Sequence, residues 1–302
     1  MSRIALVSLA LSTLACGCSV GDRIALEHDG ESRNYFLYVP DGVAANAPVV
    51  IAMHGGGTPG GSKGRRIGTQ TGLDALADEE GFIGVFPSSL GGNWNDGRDL
   101  EAGYVSPDVD DVGFIEAVLD DVAARVSIDA DRVYVSGASN GGFMTQRMLC
   151  ERPERFAAGV SFIATMPATL ECTPPSDARV PVMFVLGTAD PLVPYEGGPV
   201  ANGDRGEAIS ADAAFAFWSD QNGCTGEPTI TPLPDTDPDD GTTASREDAT
   251  GCDAPVSRIV IEGGGHTWPG GAQYLPERTI GPTSNDLQGQ DVLWDFVKGH
   301  SR

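Results

Sequence analysis

Basic residues are scarce in this chain. Its 302 residues include 19 lysines and arginines against 43 aspartates and glutamates, a formal net charge of −24. Such a surface repels nucleic acid and anionic membranes, so neither is expected as a partner, and the acidity by itself names no substrate. Membrane-length apolar runs are missing as well. The stretch Ile4 to Ala15 has twelve residues, well short of the ~20 needed to span a bilayer. With Arg3 ahead of it and small residues through Cys16-Gly17-Cys18 behind, it reads as a cleaved export signal over residues 1–18. Leu14-Ala15 before Cys16 and Ala15-Cys16-Gly17 before Cys18 both fit a bacterial lipobox loosely. The acylated residue stays open between the two, with ordinary secretion as the alternative. A membrane is expected as a partner only through such a lipid anchor, and the mature protein is expected outside the cell or on its envelope.

Cysteine is also in short supply. Removing the signal leaves Cys150, Cys172, Cys224 and Cys252, none at zinc-ligand spacing. An even count in an exported chain implies disulfides, with three connectivities open. The pairs Cys150–Cys172 and Cys224–Cys252 are expected, because each brackets a loop-rich segment. No linker-like break divides residues 19–302, which are expected to form one α/β domain.

What is present is chemistry at strand ends. A β-type run from Val133 ends in Gly137-Ala138-Ser139-Asn140-Gly141, and a helix-forming segment, Phe143 to Leu149, follows at once. This is a nucleophile elbow, a tight turn whose two glycines let strand and helix crowd together and lift the serine hydroxyl clear of the backbone. A serine needs a base to accept its proton and a carboxylate to hold that base in the right tautomer. Only four histidines exist. His300 lies at the C-terminus, His28 in a hairpin and His54 upstream of Ser139, where it suits the orientation of a loop. His266, beyond the run Ser257–Ile261, is left as the base. Asp190 follows the run Pro181–Leu186. Ser139, Asp190 and His266 thus stand in the chain order of an α/β-hydrolase triad.

The strand ending at Met53 leads into His54-Gly55-Gly56-Gly57, a glycine loop that can bring N–H groups close to a developing oxyanion. The donors are expected to be the N–H groups of Gly56 and Asn140, with Gly57 as the alternative to Gly56. Trp94 and Trp268 are candidates to line the acyl or alcohol subsite, with Arg98 and Tyr195 behind them.

Strands and helices alternate through the chain. A hairpin around Asp29-Gly30 opens it. Strands are expected at Pro48–Met53, Phe82–Phe86, Ala157–Ile163 and the three runs just named. Helices are expected near Thr71–Glu80, Asp110–Val126, Ala211–Gln221 and Asp291–Lys298. Val112, Ile115, Val118, Leu119 and Val122 recur at helical spacing behind Asp110 as a cap. This alternation implies an α/β fold, a mostly parallel central sheet covered by helices on both faces, with the site at the C-terminal strand ends. Pro232 to Asp253 breaks the pattern. Asp235, Asp237, Asp239 and Asp240 are hard oxygen ligands, yet the glycine and glutamate of an EF-hand are out of register. A solvated loop tied down by Cys224–Cys252 is expected, with no metal and no other cofactor.

Six motifs occur in order: His54-Gly-Gly-Gly57, Asn93-Trp-Asn-Asp-Gly-Arg98, Asp111-Val-Gly-Phe114, Gly137 to Met144, Gly187-Thr-Ala-Asp190 and Gly263 to Gly270. Together they resemble the poly(3-hydroxybutyrate) depolymerase-like and feruloyl esterase family of the α/β-hydrolases, over about residues 22 to 300. The resemblance implies a serine esterase with Ser139, Asp190 and His266 as nucleophile, acid and base. It also implies substrates among hydroxyalkanoate polyesters or their oligomers, hydroxycinnamoyl esters or acetyl esters of xylan. The chain ends four residues after its last expected helix, without the polymer-binding module of depolymerases that attack insoluble polyester. Soluble or amorphous esters are therefore expected ahead of crystalline polymer. The whole-chain resemblance leans toward hydroxyalkanoate-type polyester or its oligomers ahead of feruloyl esters, and a monomer is expected. Two other readings remain open. A peptidase of the prolyl-oligopeptidase type needs a shielding domain and a binder for the substrate's amine end. An envelope-anchored binding protein on an inactive scaffold has no need of an intact triad.

Overall fold

A computed structural model of the protein describes residues 21–57, 63–99 and 108–302. The export segment, with Cys16 and Cys18, lies outside the described residues. Strands β1 (Asp22–His28) and β2 (Glu31–Tyr38) form the opening hairpin. Its turn residues Asp29 (φ 51°) and Gly30 (φ 77°) are both left-handed, which matches the twist of paired strands. There follow β3 (Ala47–Met53), α1 (Lys63–Gln70), α2 (Leu73–Glu80) and β4 (Ile83–Ser88). Next come α3 (Asp111–Arg125), β5 (Ile128–Ala138), α4 (Asn140–Glu151), β6 (Ala158–Phe162) and β7 (Val182–Gly187). A short ribbon of β8 (Gly198–Pro199) and β9 (Glu207–Ala208) precedes α5 (Ala211–Gln221). The chain closes with β10 (Gly226–Pro232), β11 (Thr243–Thr250), β12 (Val256–Glu262), α6 (Glu277–Ile280) and α7 (Gly289–Val297).

The main sheet has ten strands in the order β1-β2-β4-β3-β5-β6-β7-β12-β11-β10. From β4 to β12 every pairing is parallel, and the antiparallel pairs lie at the two ends. Side chains alternate across this sheet and build a separate core on each face. Val49, Ile51 and Met53 of β3 pack with Ile115 and Val118 of α3, Met148 of α4 and Trp218 of α5. Val50 and Ala52 face the other way, toward Leu73 and Leu76 of α2 and Leu293 and Trp294 of α7. The expected periodic positions Val112, Ile115, Val118, Leu119 and Val122 are all buried, and the carboxylate of Asp110 accepts the N–H of Gly113 at 2.8 Å as the N-cap.

One expectation fails. The segment from Pro232 to Asp253 is not a solvated loop throughout, because Thr243–Thr250 is β11 and pairs antiparallel with both β10 and β12. Its sequence, TASREDAT, alternates no apolar residues, since most of it is half-buried near the sheet's edge. Arg246 pairs with Asp248 two residues along the same strand at 2.8 Å, and Arg258 of β12 reaches across to Glu247 at 2.6 Å, so polar contacts stand in for apolar ones. Both expected disulfides are present. Cys150–Cys172 ties α4 to the segment after β6, and Cys224–Cys252 closes the open end of the β10–β11 hairpin.

Candidate active site

β5 ends and α4 begins around Ser139, whose φ of 57° and ψ of −120° lie where side-chain-bearing residues rarely go. Such a conformation costs about 1–3 kcal/mol and persists only where its surroundings impose it. Here two glycines do so. A Cβ on Gly137 would stand 2.2 Å from the carbonyl oxygen of Gly141, and one on Gly141 would stand 2.1 Å from that of Met53. Neither position accepts a side chain. The turn is fixed by Ser139 N–H donating to Phe162 at 2.9 Å and Phe143 N–H donating to Ser139 at 2.9 Å.

The three residues expected to form the triad converge. His266 Nε2 lies 2.9 Å from Ser139 Oγ, and His266 Nδ1 lies 2.7 Å from Asp190 Oδ2. A carboxylate can only accept, so Nδ1 carries the proton and Nε2 is left to accept the serine hydroxyl. The other oxygen of Asp190 accepts the N–H groups of Leu192 at 2.8 Å and Val193 at 2.9 Å. Asp190 and His266 are 7 % and 4 % exposed, so the contact between them is shielded from water. The glycines before His266 serve close approach, since a Cβ on Gly265 would lie 2.2 Å from the carbonyl of Ile280.

The glycine loop is held by neighbours. His54 donates through Nδ1 to Gly55 O at 2.8 Å and accepts Ser89 N–H through Nε2 at 3.1 Å, a loop-orienting arrangement that both partners require. Gly57 N–H donates to Asn93 Oδ1 at 3.0 Å. Gly55 packs directly on Ser139, where an added Cβ would be 3.4 Å from the serine's Cβ.

Trp94 does not line a subsite. It is fully buried, its Nε1 donating to His54 O at 2.9 Å and its ring 5.0 Å from the His54 ring. A side chain without exposed surface cannot stack on a substrate. Trp268 is half-buried and stacks on Phe162 at 3.9 Å, with its Nε1 buried and without a hydrogen-bond partner. Arg98 is engaged elsewhere too. Its guanidinium meets Asp96 at 2.6 Å, donates to Arg205 O at 2.8 Å and lies over the Phe143 ring. Tyr195 is half-buried, and burial pushes its phenol up.

Sequence reasoning missed what the segment from Asn93 to Arg98 does. Asn140, the residue after the elbow serine, uses its side chain to clasp that segment. Its Oδ1 accepts Trp94 N–H at 2.7 Å, and its Nδ2 donates to Trp94 O at 3.0 Å and to Asp96 Oδ2 at 2.5 Å. The segment therefore joins both expected oxyanion donors, Asn140 directly and the glycine loop through Asn93 and Trp94. Its polar residues were visible, but nothing in their spacing says which way they turn. Among the described residues, no cluster of three or more histidine, cysteine or acidic side chains is arranged to hold a metal, and no helix is long and apolar enough to cross a membrane.

Against known proteins, the chain is 31% identical over 294 residues to the "Putative esterase NocK" of Nocardia uniformis, covering 89% of this chain and 80% of that one. The chain belongs to the α/β-hydrolase esterases. It is also similar to feruloyl esterase C of Emericella nidulans, 28% identical over 77% of this chain and 76% of that protein. With poly(3-hydroxyalkanoate) depolymerase C of Paucimonas lemoignei it shares 30% identity over 49% of this chain and 37% of that one. The prolyl oligopeptidase family model matches residues 74–171, the part that carries the elbow. An acetyl xylan esterase from Aspergillus awamori shares the fold, with a TM-score of 0.54 at 19% identity over 82% of this chain and 94% of that structure. A thermostable esterase does so with a TM-score of 0.56 at 15% identity, covering 93% of this chain and 63% of that structure. As an α/β-hydrolase esterase, the protein is a carboxylic ester hydrolase.

Proposed function

We propose that the protein hydrolyses carboxylic esters through an acyl-enzyme on Ser139, acting outside the cytosol on soluble hydroxyalkanoate-type esters or oligomers. The observation that carries this reading is the continuous contact Ser139 Oγ, His266 Nε2, His266 Nδ1, Asp190 Oδ2, at 2.9 Å and 2.7 Å.

Ser139 Oγ attacks the ester carbonyl carbon while His266 Nε2 takes the hydroxyl proton, and Asp190 stabilises the imidazolium that results. The former carbonyl oxygen becomes an oxyanion and accepts the N–H groups of Gly56 and Asn140. Two observations support that pair. Gly57 N–H is already engaged with Asn93, and Asn140 opens α4, where the first N–H groups have no acceptor within the helix. The tetrahedral intermediate collapses, the bond to the alcohol oxygen breaks, and His266 returns the proton to that oxygen. Water then repeats the sequence on the acyl-enzyme and releases the acid. Residues 19–302 act in this reading as one catalytic domain. Export is supported by the two disulfides, which persist in oxidising compartments.

The burial of Trp94 removes that ring as a stacking face for a hydroxycinnamoyl acyl group, which supports hydroxyalkanoate-type esters. A second reading, hydroxycinnamoyl or acetyl esters of plant polysaccharide, is favoured by the longer span shared with feruloyl esterase C than with the depolymerase. Comparing kcat/KM for methyl ferulate and hydroxybutyrate oligomers separates them. An advantage for methyl ferulate above about tenfold replaces the first reading with the second. The mechanism itself is tested by a fluorophosphonate probe. The account expects one adduct, mapped to Ser139 by peptide mass; folded protein that stays unlabelled contradicts it.

A further inference from the structure

Beyond His266 the chain makes an excursion and returns to its starting point. Gly265 N–H donates to Pro282 O at 2.9 Å, and His266 N–H to Ile280 O at 2.5 Å. Within the excursion Gln273 Nε2 donates to Leu275 O at 2.8 Å and to Gly281 O at 3.0 Å, and Thr283 Oγ1 donates to Gln273 Oε1 at 2.7 Å. A loop tied at its base and across its middle holds its tip in a fixed place.

That tip bears Tyr274 and Leu275, which are 55% and 45% exposed and are two of the four large exposed apolar side chains among the described residues. Adjacent exposed apolar groups are out of character on a surface with a net charge of −24. Tyr274 Oη donates to the carbonyl of His266 at 3.0 Å. Burial pushes the phenol up, with the charge of Asp190 adding to the effect. The hydroxyl end is thus turned in toward the triad, while much of the ring faces solvent.

We propose that the Tyr274 ring, with Leu275 beside it, walls the subsite for the alcohol portion of the ester and selects alcohols that present a hydrocarbon face. This rests on the acyl-enzyme reading above. In that reading His266 delivers its proton to the leaving alcohol oxygen, so the alcohol departs on the His266 side of Ser139. Tyr274 is anchored to the main chain of that same histidine. The glycine loop and the Trp94 segment are joined to Asn140 instead. An exposed aromatic face held still beside the departure point gains contact area with an apolar alcohol at little cost in ordering.

The test holds the acyl group constant and varies the alcohol. Wild type is expected to show a higher kcat/KM for benzyl butyrate than for methyl butyrate. Tyr274→Ala should cut that ratio about tenfold, chiefly through KM, while Tyr274→Phe keeps it within about threefold. Leu275→Ala, which leaves every hydrogen bond of the loop in place, should cut it about threefold. The ratio of benzyl butyrate to benzyl acetate should move less than about twofold in all three. Equal losses on methyl and benzyl esters, a change that follows the acyl chain, or Phe losing as much as Ala would each overturn the assignment. If Tyr274→Ala does not fold, Leu275→Ala decides alone. Failure of the underlying mechanism reads differently, as wild-type protein that turns over none of these esters.

Discussion

Each proposed catalytic side chain is made competent by a contact that its own residue type does not supply. Asp190 holds the His266 tautomer through Nδ1 while two backbone N–H groups hold Asp190. Asp190→Asn keeps the shape but offers an amide where a carboxylate is needed, which favours the wrong tautomer. It should lower kcat for a short-chain p-nitrophenyl ester by about 10⁴-fold with little change in KM. A drop of less than about tenfold would mean that Asp190 does not orient the base. The elbow serine and the two strand-end partners were readable from sequence, because glycine spacing and chain order follow from the geometry of a tight turn on a parallel sheet. Trp94 was not, since its burial depends on hydrogen bonds to His54 and Asn140 that no local pattern encodes.

At the scale of elements, the segment from Asn93 to Arg98 behaves as a brace between the glycine loop and α4. Its centre is an ion pair, Asp96 with Arg98, whose side chains are 0% and 2% exposed. Removing one partner of a buried pair leaves the other charge uncompensated. Asp96→Ala should therefore destabilise the protein by about 3–5 kcal/mol in urea unfolding, and Asp96→Ala with Arg98→Met should recover part of that loss. A double mutant less stable than the single would contradict the account. The N-cap of α3 gives a milder test. Burial raises the Asp110 pKa, but the Gly113 N–H and His28 outweigh it and hold the group below its ordinary 3.8. A depressed pKa contributes stability that is complete above the ordinary value and is lost as pH falls through the folded one. Asp110→Ala should cost about 1 kcal/mol near neutral pH and show a smaller loss of stability than wild type as pH falls below about 4. A mutant with an unchanged acid limb would show that the cap carries none of it. The helix and its cap were legible from periodicity. β11 was not, because a strand one place in from the sheet's edge can satisfy itself with polar contacts to its neighbours and needs no apolar alternation.

Over the whole molecule, the six parallel strands from β4 to β12 bring Ser139, Asp190 and His266 together from positions up to 127 residues apart. That convergence was legible as a class of fold, since each residue stands just past a buried-type strand. The order of strands was not, because long-range pairing leaves no local mark. Two further properties belong to this scale. Self-repulsion at a net charge of −24 should be screened by salt, so Tm should rise between low ionic strength and about 0.5 M sodium chloride; a falling Tm would argue against net repulsion. The Cys224–Cys252 bridge closes a hairpin at a sequence separation of 28. Replacing both cysteines by serine should cost about 3 kcal/mol in unfolding free energy while leaving kcat near wild type, since the hairpin lies at the far edge of the sheet. A large loss of kcat in folded protein would show that this edge reaches the site.

Turnover of a short-chain p-nitrophenyl ester by Ser139→Ala tests the central claim most directly. The side chain lost is a single hydroxyl, and the glycine loop, the brace and the acid–base pair all remain. The acyl-enzyme account predicts a fall in kcat of about 10⁴–10⁶-fold in a protein that still folds. Turnover within about tenfold of wild type would contradict it and place the chemistry elsewhere in the molecule.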